Sequence, residues 1–361
     1  MSAELNSLLL SFQPDSPEVE KRRDYDAKAR SFVAQLSNVS APHWLKGADT
    51  EQDVLVILNP AVNSIAYAFA LRNRIAALVE KKNASETLQP GGTLWNQLVL
   101  FLETADPIQL RYVGKEWKNL VEYTEEIARG CGSPSLAIAP MRSAMTRLDP
   151  TTGTFTSVHV SFIHLCLETR SYAAAEPILD NYIHTLPAKI PSAVREGLEY
   201  SVPCADVASS GEYIHQNSGH TDRVGLADIQ EYYVLGAMAY LGLRQFKKAK
   251  HFVEHVLVVP SANTANGLML EAYKKWVLLS CLVGGKVRFV GEETGKRQLT
   301  RTDGEYTTDG ECDSDEEYQG GMQGVRGVGR GVRRAGQHVQ VEGTGASWHR
   351  DLGRGRQRGT G

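Results

Sequence analysis

Apolar residues recur every three or four positions through most of the first 286 residues, which is the period of a helix with one buried face. The clearest stripes comprise Ile65, Phe69, Leu71, Ile75 and Leu78, then Leu94, Leu98 and Phe101, and then Trp117, Leu120, Val121 and Ile127. No alternating segment of strand length recurs, and the apolar run from Val54 to Leu58 cannot form a sheet alone. The pattern therefore predicts an all-α fold.

Short breaks rich in glycine and proline separate these stripes. They are Pro90-Gly-Gly, Asp106-Pro, Gly130-Cys-Gly-Ser-Pro and Asp149-Pro-Thr-Thr-Gly. The periodic runs between them are about 12 to 20 residues long, which is the usual length of a helix in a helical hairpin. The sequence therefore predicts a series of helical hairpins.

Two segments of the chain, residues 162–187 and 236–260, resemble each other when they are aligned from their first residues. The alignment pairs Tyr172 with Phe246, Ala175 with Ala249, and Leu179 with Val253, and both segments end at a proline. A helix, a tight turn, an aromatic residue and a small residue three positions later are typical of tetratricopeptide repeats, and the offset corresponds to two such units. We therefore expect a degenerate tetratricopeptide-like helical-repeat solenoid, and the alternative is an antiparallel helical hairpin of another kind.

Composition divides the chain after residue 286. Of the 33 glycines, 17 lie in residues 287–361, whereas all 14 prolines lie earlier. Few large apolar residues remain in that last part, so we expect a disordered Gly/Arg-rich tail. The sequence thus predicts a helical-repeat domain over residues 1–286, interrupted by a polar surface loop at about 201–225, and a low-complexity tail over 287–361.

Charge and cysteine usage exclude several classes of protein. The formal net charge is −3, which argues against a nucleic-acid binder of high positive charge. The five cysteines are widely spaced and form no Cys-x-x-Cys pair, so neither a disulfide framework nor a zinc module is expected. No apolar run approaches the roughly 20 residues that span a bilayer, and no secretory signal is recognisable. We expect a soluble protein of the cytoplasm and nucleus.

Residue sets with catalytic or metal-binding spacing are incomplete. His251 and His255 lie one helical turn apart, but Phe252 stands where a metalloprotease motif carries glutamate. We interpret this pair as a solvent-facing helix edge, with a metal site as the alternative. His159 and His164 should point to different sides of their helix. The sequence predicts no catalytic residue, no cofactor and no metal ligand, and hence a protein that is not an enzyme.

The tail contains arginine and glycine in a pattern that occurs in some RNA-binding segments. Eight acidic residues lie between Asp303 and Glu317, and eight arginines follow them. Trp348 is the one aromatic residue among those arginines. We favour a disordered segment of balanced charge, and the alternative is an Arg-Gly RNA-binding adaptor.

Residues 231–286 carry a distinctive series of small and aromatic residues. The series comprises Tyr232-Tyr233, Gly236, Tyr240, Gly242-Leu243, Phe246, Ala249, Phe252, Pro260 and Leu270-Glu-Ala-Tyr-Lys-Lys. This segment resembles the family of the third subunit of the COP-nine signalosome. The resemblance implies helical repeats leading into a winged-helix (PCI) module, in a non-catalytic scaffold. It implies a complex that removes a ubiquitin-like modifier from cullins and so regulates cullin-RING ubiquitin ligases. It also implies other signalosome subunits as partners, the first and eighth among them, whereas a proteasome-lid or initiation-factor subunit of the same architecture is the alternative.

The family pattern is not continued after Lys286. There the resemblance implies further helices and a winged helix, whereas the segment beginning at Val287 has neither helical period nor strand alternation. Lys-Val-Arg is compatible with a splice donor at that junction. We therefore interpret residues 287–361 as translated intron or shifted reading frame, and we expect the chain to lack the winged-helix module.

Three residues of the second repeat copy are candidates for partner contacts. First helices of repeat units usually line the concave face of a solenoid. Tyr233, Met238 and Tyr240 are placed on such a helix by the alignment. Packing between helices is the other interpretation for each of them.

Overall fold

The structure is a computed structural model that describes residues 7–12, 21–45, 53–80, 86–187, 203–205, 209–258 and 266–284. Its longer helices are α1 (Arg22–Ser37), α2 (Ser64–Glu80), α3 (Thr93–Thr104), α4 (Gly114–Gly130), α5 (Ile138–Leu148), α6 (Ser157–Glu168), α7 (Tyr172–Leu179), α8 (Leu226–Gly242), α9 (Phe246–Val258) and α10 (Gly267–Gly284). Short helical turns occupy Ala41–Trp44, Val54–Ile57, Pro107–Leu110 and Ser210–Tyr213, with 3₁₀ turns at Glu86–Leu88 and Pro134–Ala137. The predicted tail, residues 287–361, lies outside the described residues.

The apolar stripes form the buried faces of the helices. Ile65, Leu98 and Trp117 are each 1% exposed or less, and each lies on a different helix. The described ranges contain no β-strand, and their one β-type pairing is an isolated bridge between Thr154 and Thr185. The all-α prediction is therefore confirmed.

The apolar run from Val54 forms a helical turn because its first residues are capped by a carboxylate. The Asp53 carboxylate accepts a hydrogen bond from the backbone N–H of Leu55 at 3.0 Å. Arg74 of α2 donates two further bonds to the same carboxylate, at 2.7 and 3.0 Å. Both side chains of this ion pair are buried, so each charge depends on the other for its hydrogen bonds.

Three helical hairpins, α4–α5, α6–α7 and α8–α9, share one kind of turn. The first helix of each is followed by a left-handed residue, Gly132, Arg170 or Arg244, with φ of 71°, 57° and 59°. The next N–H then donates to a carbonyl five residues back, as Ser171 does to Cys166 at 2.8 Å. The same bond recurs at the aligned positions of the second copy, from Gln245 to Tyr240 at 2.9 Å. This is the Schellman arrangement, and its recurrence extends the sequence repeat to the backbone.

Small residues allow the hairpins to pack closely, as the repeat pattern predicts. Helix α8 lies against α6, α7, α9 and α10. A methyl group built on Gly236 would lie 2.7 Å from the Phe252 ring and 2.9 Å from the Leu179 side chain. Ala175 and Ala249, the paired small residues of the two copies, are both fully buried. The prediction of a tetratricopeptide-like array is thus confirmed.

Residues 209–224, the main described part of the polar surface loop predicted at about 201–225, are largely irregular but contribute to the interior. Tyr213 and Ile214 are buried, and His220 is fully buried. The His220 imidazole bonds through Nε2 to the Leu110 carbonyl at 3.0 Å. A methyl group on Gly114 would lie 2.2 Å from the Ser218 carbonyl oxygen, so only glycine fits there. Glu212 and Asp222 remain exposed, so the surface-loop prediction is wrong only for the buried residues of the segment. We call the segment the internal loop, because backbone groups of distant elements bond its buried polar side chains.

Candidate interaction surface

The three candidate contact residues of α8 have three different environments. Tyr240 is 1% exposed, and its hydroxyl donates to Asp180 at 2.5 Å, so the structure places it in the helix packing. Tyr233 is half-buried, and its ring stacks on the His255 imidazole with centroids 4.8 Å apart. Met238 is 42% exposed. Of the three, Met238 is the residue that a partner could contact most directly.

Met238 lies in a surface hollow formed by three first helices, which we call the first-helix groove. Its cavity volume is about 560 Å³. Its lining residues are Glu125 and Arg129 of α4, Ser161, His164, Leu167 and Glu168 of α6, and Leu235 and Met238 of α8. Helices from three successive hairpins therefore share this surface.

The groove follows the repeat of the chain. The alignment that pairs Tyr172 with Phe246 also pairs His164 with Met238, and its extension by one residue pairs Ser161 with Leu235. The same turn of the first helix thus supplies the lining from each copy, polar in α6 and apolar in α8.

Carboxylates outnumber cationic groups around the groove. Arg129 donates through Nε to Glu125 at 2.9 Å, and it also donates through Nη1 to Glu168. His164 of α6 contacts Glu231 of α8, with Nε2 2.8 Å from Oε1. Three carboxylates therefore surround one guanidinium and one imidazole.

A second hollow of opposite charge lies at the end of the described array. It has a volume of about 480 Å³ and is lined by Arg244, Gln245, Phe246, Lys247, Lys248, Leu282 and Val283. Lys248 donates to Asp180 at 2.7 Å, so part of this positive charge is already paired. The two hollows therefore present different chemistry to a partner.

The histidines singled out from the sequence form two pairs with different arrangements in the structure. His159 is buried and His164 is exposed, so they point to different sides of α6 as predicted. The imidazoles of His251 and His255 face each other, with their Nε2 atoms 3.1 Å apart. Burial and the neighbouring His251 lower the pKa of His255 to about 4, so the imidazole of His255 is neutral near pH 7.

The described ranges contain neither a metal-binding cluster nor a membrane-spanning helix. No group of three or more histidine, cysteine, aspartate or glutamate side chains lies close enough there to hold a metal ion. The His251 and His255 pair has no third ligand in this part of the chain. None of the described helices has both the length and the apolar character needed to cross a membrane.

Most groove residues were missed by sequence reasoning, which selected only Met238 from this set. Charged residues on exposed helix faces have no distinctive local pattern. A signal was nevertheless available in the repeat, because Ser161 and His164 align with Leu235 and Met238. The repeat relates the α6 and α8 parts of this surface, whereas Glu125 and Arg129 of α4 lie outside the aligned segments.

Known proteins match most of this chain. A family model described as COP9 signalosome complex subunit 3, N-terminal helical repeats, matches residues 28–200 and 209–295. The chain is 36% identical over 265 residues to the COP9 signalosome complex subunit 3 of Emericella nidulans, covering 73% of this chain and 52% of that protein. It is 26% identical over 297 residues to the protein of the same name from Neurospora crassa, covering 80% and 56%. The chain therefore spans about half the length of the curated relatives it matches.

Proposed function

The chain belongs to the family of COP9 signalosome subunit 3 N-terminal helical repeats, and from this membership we propose that it acts as a non-catalytic scaffold subunit of the signalosome. The observation that carries the proposal is the family match, which extends along the helical array from α1 to α10. All the groove residues lie inside the matched ranges. In such a role the helical array would provide binding surfaces for other subunits and hold those subunits in position.

A second part of the proposal concerns the activity of the complex, the partners of the chain and its location. We propose that the chain supports removal of the ubiquitin-like modifier from cullins, and thereby regulation of cullin-RING ubiquitin ligases. Its partners would be other signalosome subunits, with the first and eighth as neighbours, and its location would be the cytoplasm and nucleus. The family resemblance supports the statements on the complex and its partners, whereas the location rests on the cysteine usage of the sequence.

Affinity purification of the tagged full chain from cells tests this proposal. We expect signalosome subunits to co-purify, together with activity that removes the modifier from cullins. Tyr232→Asp provides the control, because Tyr232 is 1% exposed in the middle of the array and a carboxylate there should disrupt the packing. This variant should lose both the subunits and the activity.

Two results would contradict the proposal. Recovery of peptidase activity without cullin-modifier removal would indicate a proteasome-lid subunit. Salt-sensitive RNA binding that disappears when residues 287–361 are deleted, with no signalosome subunit recovered, would indicate an Arg-Gly RNA-binding adaptor.

A further inference from the structure

We infer that the first-helix groove binds an amphipathic helix of a partner protein, one that carries lysine or arginine on both sides of an apolar stripe. The inference deepens the proposed function, and it rests on that function in requiring that the chain act by binding other proteins. Three features of the groove support this occupant. They are the apolar residues at its centre, which we call the floor, the charged residues at its edge, which we call the rim, and the backbone of its helices.

The floor of the groove is apolar and accessible. Leu167 and Leu235 are partly exposed there, and Met238 is 42% exposed. These side chains form one patch across α6 and α8, whereas an isolated apolar residue on a surface would need no explanation. Methionine adapts its shape to different apolar partners, which suits it to the centre of a binding surface.

The rim of the groove is acidic. The Glu168 side chain, which lines the groove, is 51% exposed, and the Glu231 side chain, which contacts the lining residue His164, is 39% exposed. Each carboxylate accepts from Arg129 or His164 through one oxygen in these contacts. A carboxylate can accept several hydrogen bonds, so both can also accept from a bound lysine or arginine. Charge complementarity therefore favours a basic segment over an acidic one.

The backbone of the groove favours a helical occupant. The described residues contain no strand, so they offer no sheet edge to which an extended peptide could add. Side chains three and four apart form ridges instead, as His164, Leu167 and Glu168 do on α6. Leu235 and Met238 form the facing ridge on α8. Ridges of this kind pack against the ridges of another helix.

The test measures binding of two designed peptides to the full 361-residue chain by fluorescence anisotropy. Both peptides are helices of about 18 residues, or five turns, with a leucine stripe. Lysines flank the stripe in the first peptide, and glutamates replace those lysines in the second. We expect the lysine peptide to bind at least tenfold more tightly, with an affinity that decreases as salt is raised.

Matched variants localise that binding. Met238→Arg and Glu168→Lys should each weaken the lysine peptide at least tenfold. The controls are Leu278→Arg and Glu271→Lys on α10, which change an exposed leucine and an exposed glutamate outside the groove lining. They should leave the affinity within about twofold, and thermal melts should show that all four variants remain folded.

Three outcomes would overturn the inference. These are equal binding of the two peptides, no binding of the lysine peptide, and equal losses in the groove and control variants. A fourth would replace the occupant: self-association of the chain in sedimentation experiments, abolished by Met238→Arg, would identify a second copy as the groove's partner.

If the peptide fails to bind while signalosome subunits still co-purify, only this inference fails. If the peptide binds and no subunit co-purifies, only the proposed function fails.

Discussion

The two copies of the helical hairpin, residues 157–179 and 226–258, share a turn but differ in what covers their equivalent aromatic residue. The Tyr172 ring of the first copy lies against Gly242 of the second, where an added methyl group would approach it to 2.4 Å. The equivalent Phe246 is 37% exposed and lines the second hollow beside Leu282. Burial of the aromatic residue therefore depends on which unit follows it, as expected for an array in which each unit contacts its neighbours.

The second helices of the copies also differ. Helix α7 has 8 residues and contains Pro177, whereas α9 has 13 residues. Proline removes one N–H donor and is unfavourable inside a helix, yet α7 continues past Pro177 to Leu179. The chain then forms the bridge between Thr154 and Thr185 before the internal loop begins.

The largest expected effect is a loss of stability at low pH. It arises in part from His159 of the first copy, whereas Tyr233 occupies the equivalent position in the second. Burial lowers the pKa of His159 to about 4, and it lowers the pKa of His220 to about 4 as well. Between pH 6.5 and 4 the unfolded chain therefore binds protons that the folded chain does not, so stability decreases as pH falls. The loss should reach roughly 3 kcal/mol per histidine by about pH 4.

Denaturant titrations at several pH values measure this loss. Replacing His159 with glutamine should remove about half of the pH-dependent change that the two histidines cause. An identical pH dependence in His159→Gln and the parent chain would contradict the assignment of a neutral, buried imidazole.

The next effect concerns the equivalent aromatic residues directly. Tyr172→Ala should reduce the free energy of unfolding by about 2 kcal/mol, because the half-buried ring fills the space between two units. Phe246→Ala should reduce it by less than about 1 kcal/mol, because that ring is partly exposed. Equal losses in urea denaturation would show that the two positions are covered alike in solution.

A smaller effect is expected at the contact between α8 and its neighbours. Gly236→Ala should destabilise the protein by about 1 kcal/mol, since the clash with Phe252 and Leu179 exceeds the gain in helix propensity. Gly267→Ala is the matched control, because nothing lies within 4 Å of the added methyl group. The control should leave the midpoint of thermal unfolding unchanged or slightly raised, and a loss of stability there would weaken the packing argument.

The smallest effect tests whether the turns are alike. Arg170→Gly and Arg244→Gly should each stabilise the protein by about 0.5 kcal/mol, because glycine adopts the left-handed conformation without strain. Two similar gains that add in the double variant would confirm the structural repeat. A gain at one site and a loss at the other would show that the turns are energetically different.

The sequence predicted the parts of the fold that depend on local periodicity. Leu98 and Phe101 recur on one face of α3, and both are fully buried. The left-handed turn residues were not foreseen because Arg170 and Arg244 lack the usual glycine. Burial of His220 was also missed, since it depends on a carbonyl at Leu110, which is distant in sequence.

The candidate surface was predicted only in part, for a related reason. Met238 could be selected because its helix belongs to the clearest repeat copy, but Tyr240 on the same helix is buried. Arg129 and Glu168 come together from different hairpins, so no local pattern announces their contact. The chemistry of a surface shared by three helices depends on how those helices pack. The sequence of a single helix does not show that packing.

The internal loop has a consequence for the folding of the array. A pure solenoid can begin folding at any unit, because its contacts are between neighbours. Here the bond from His220 to the Leu110 carbonyl joins positions more than a hundred residues apart, across two hairpins. Such contacts form late and slow the folding reaction, since a long chain segment must be ordered first. We therefore expect the hairpins between these residues to unfold together, with similar protection of their amide protons from hydrogen exchange.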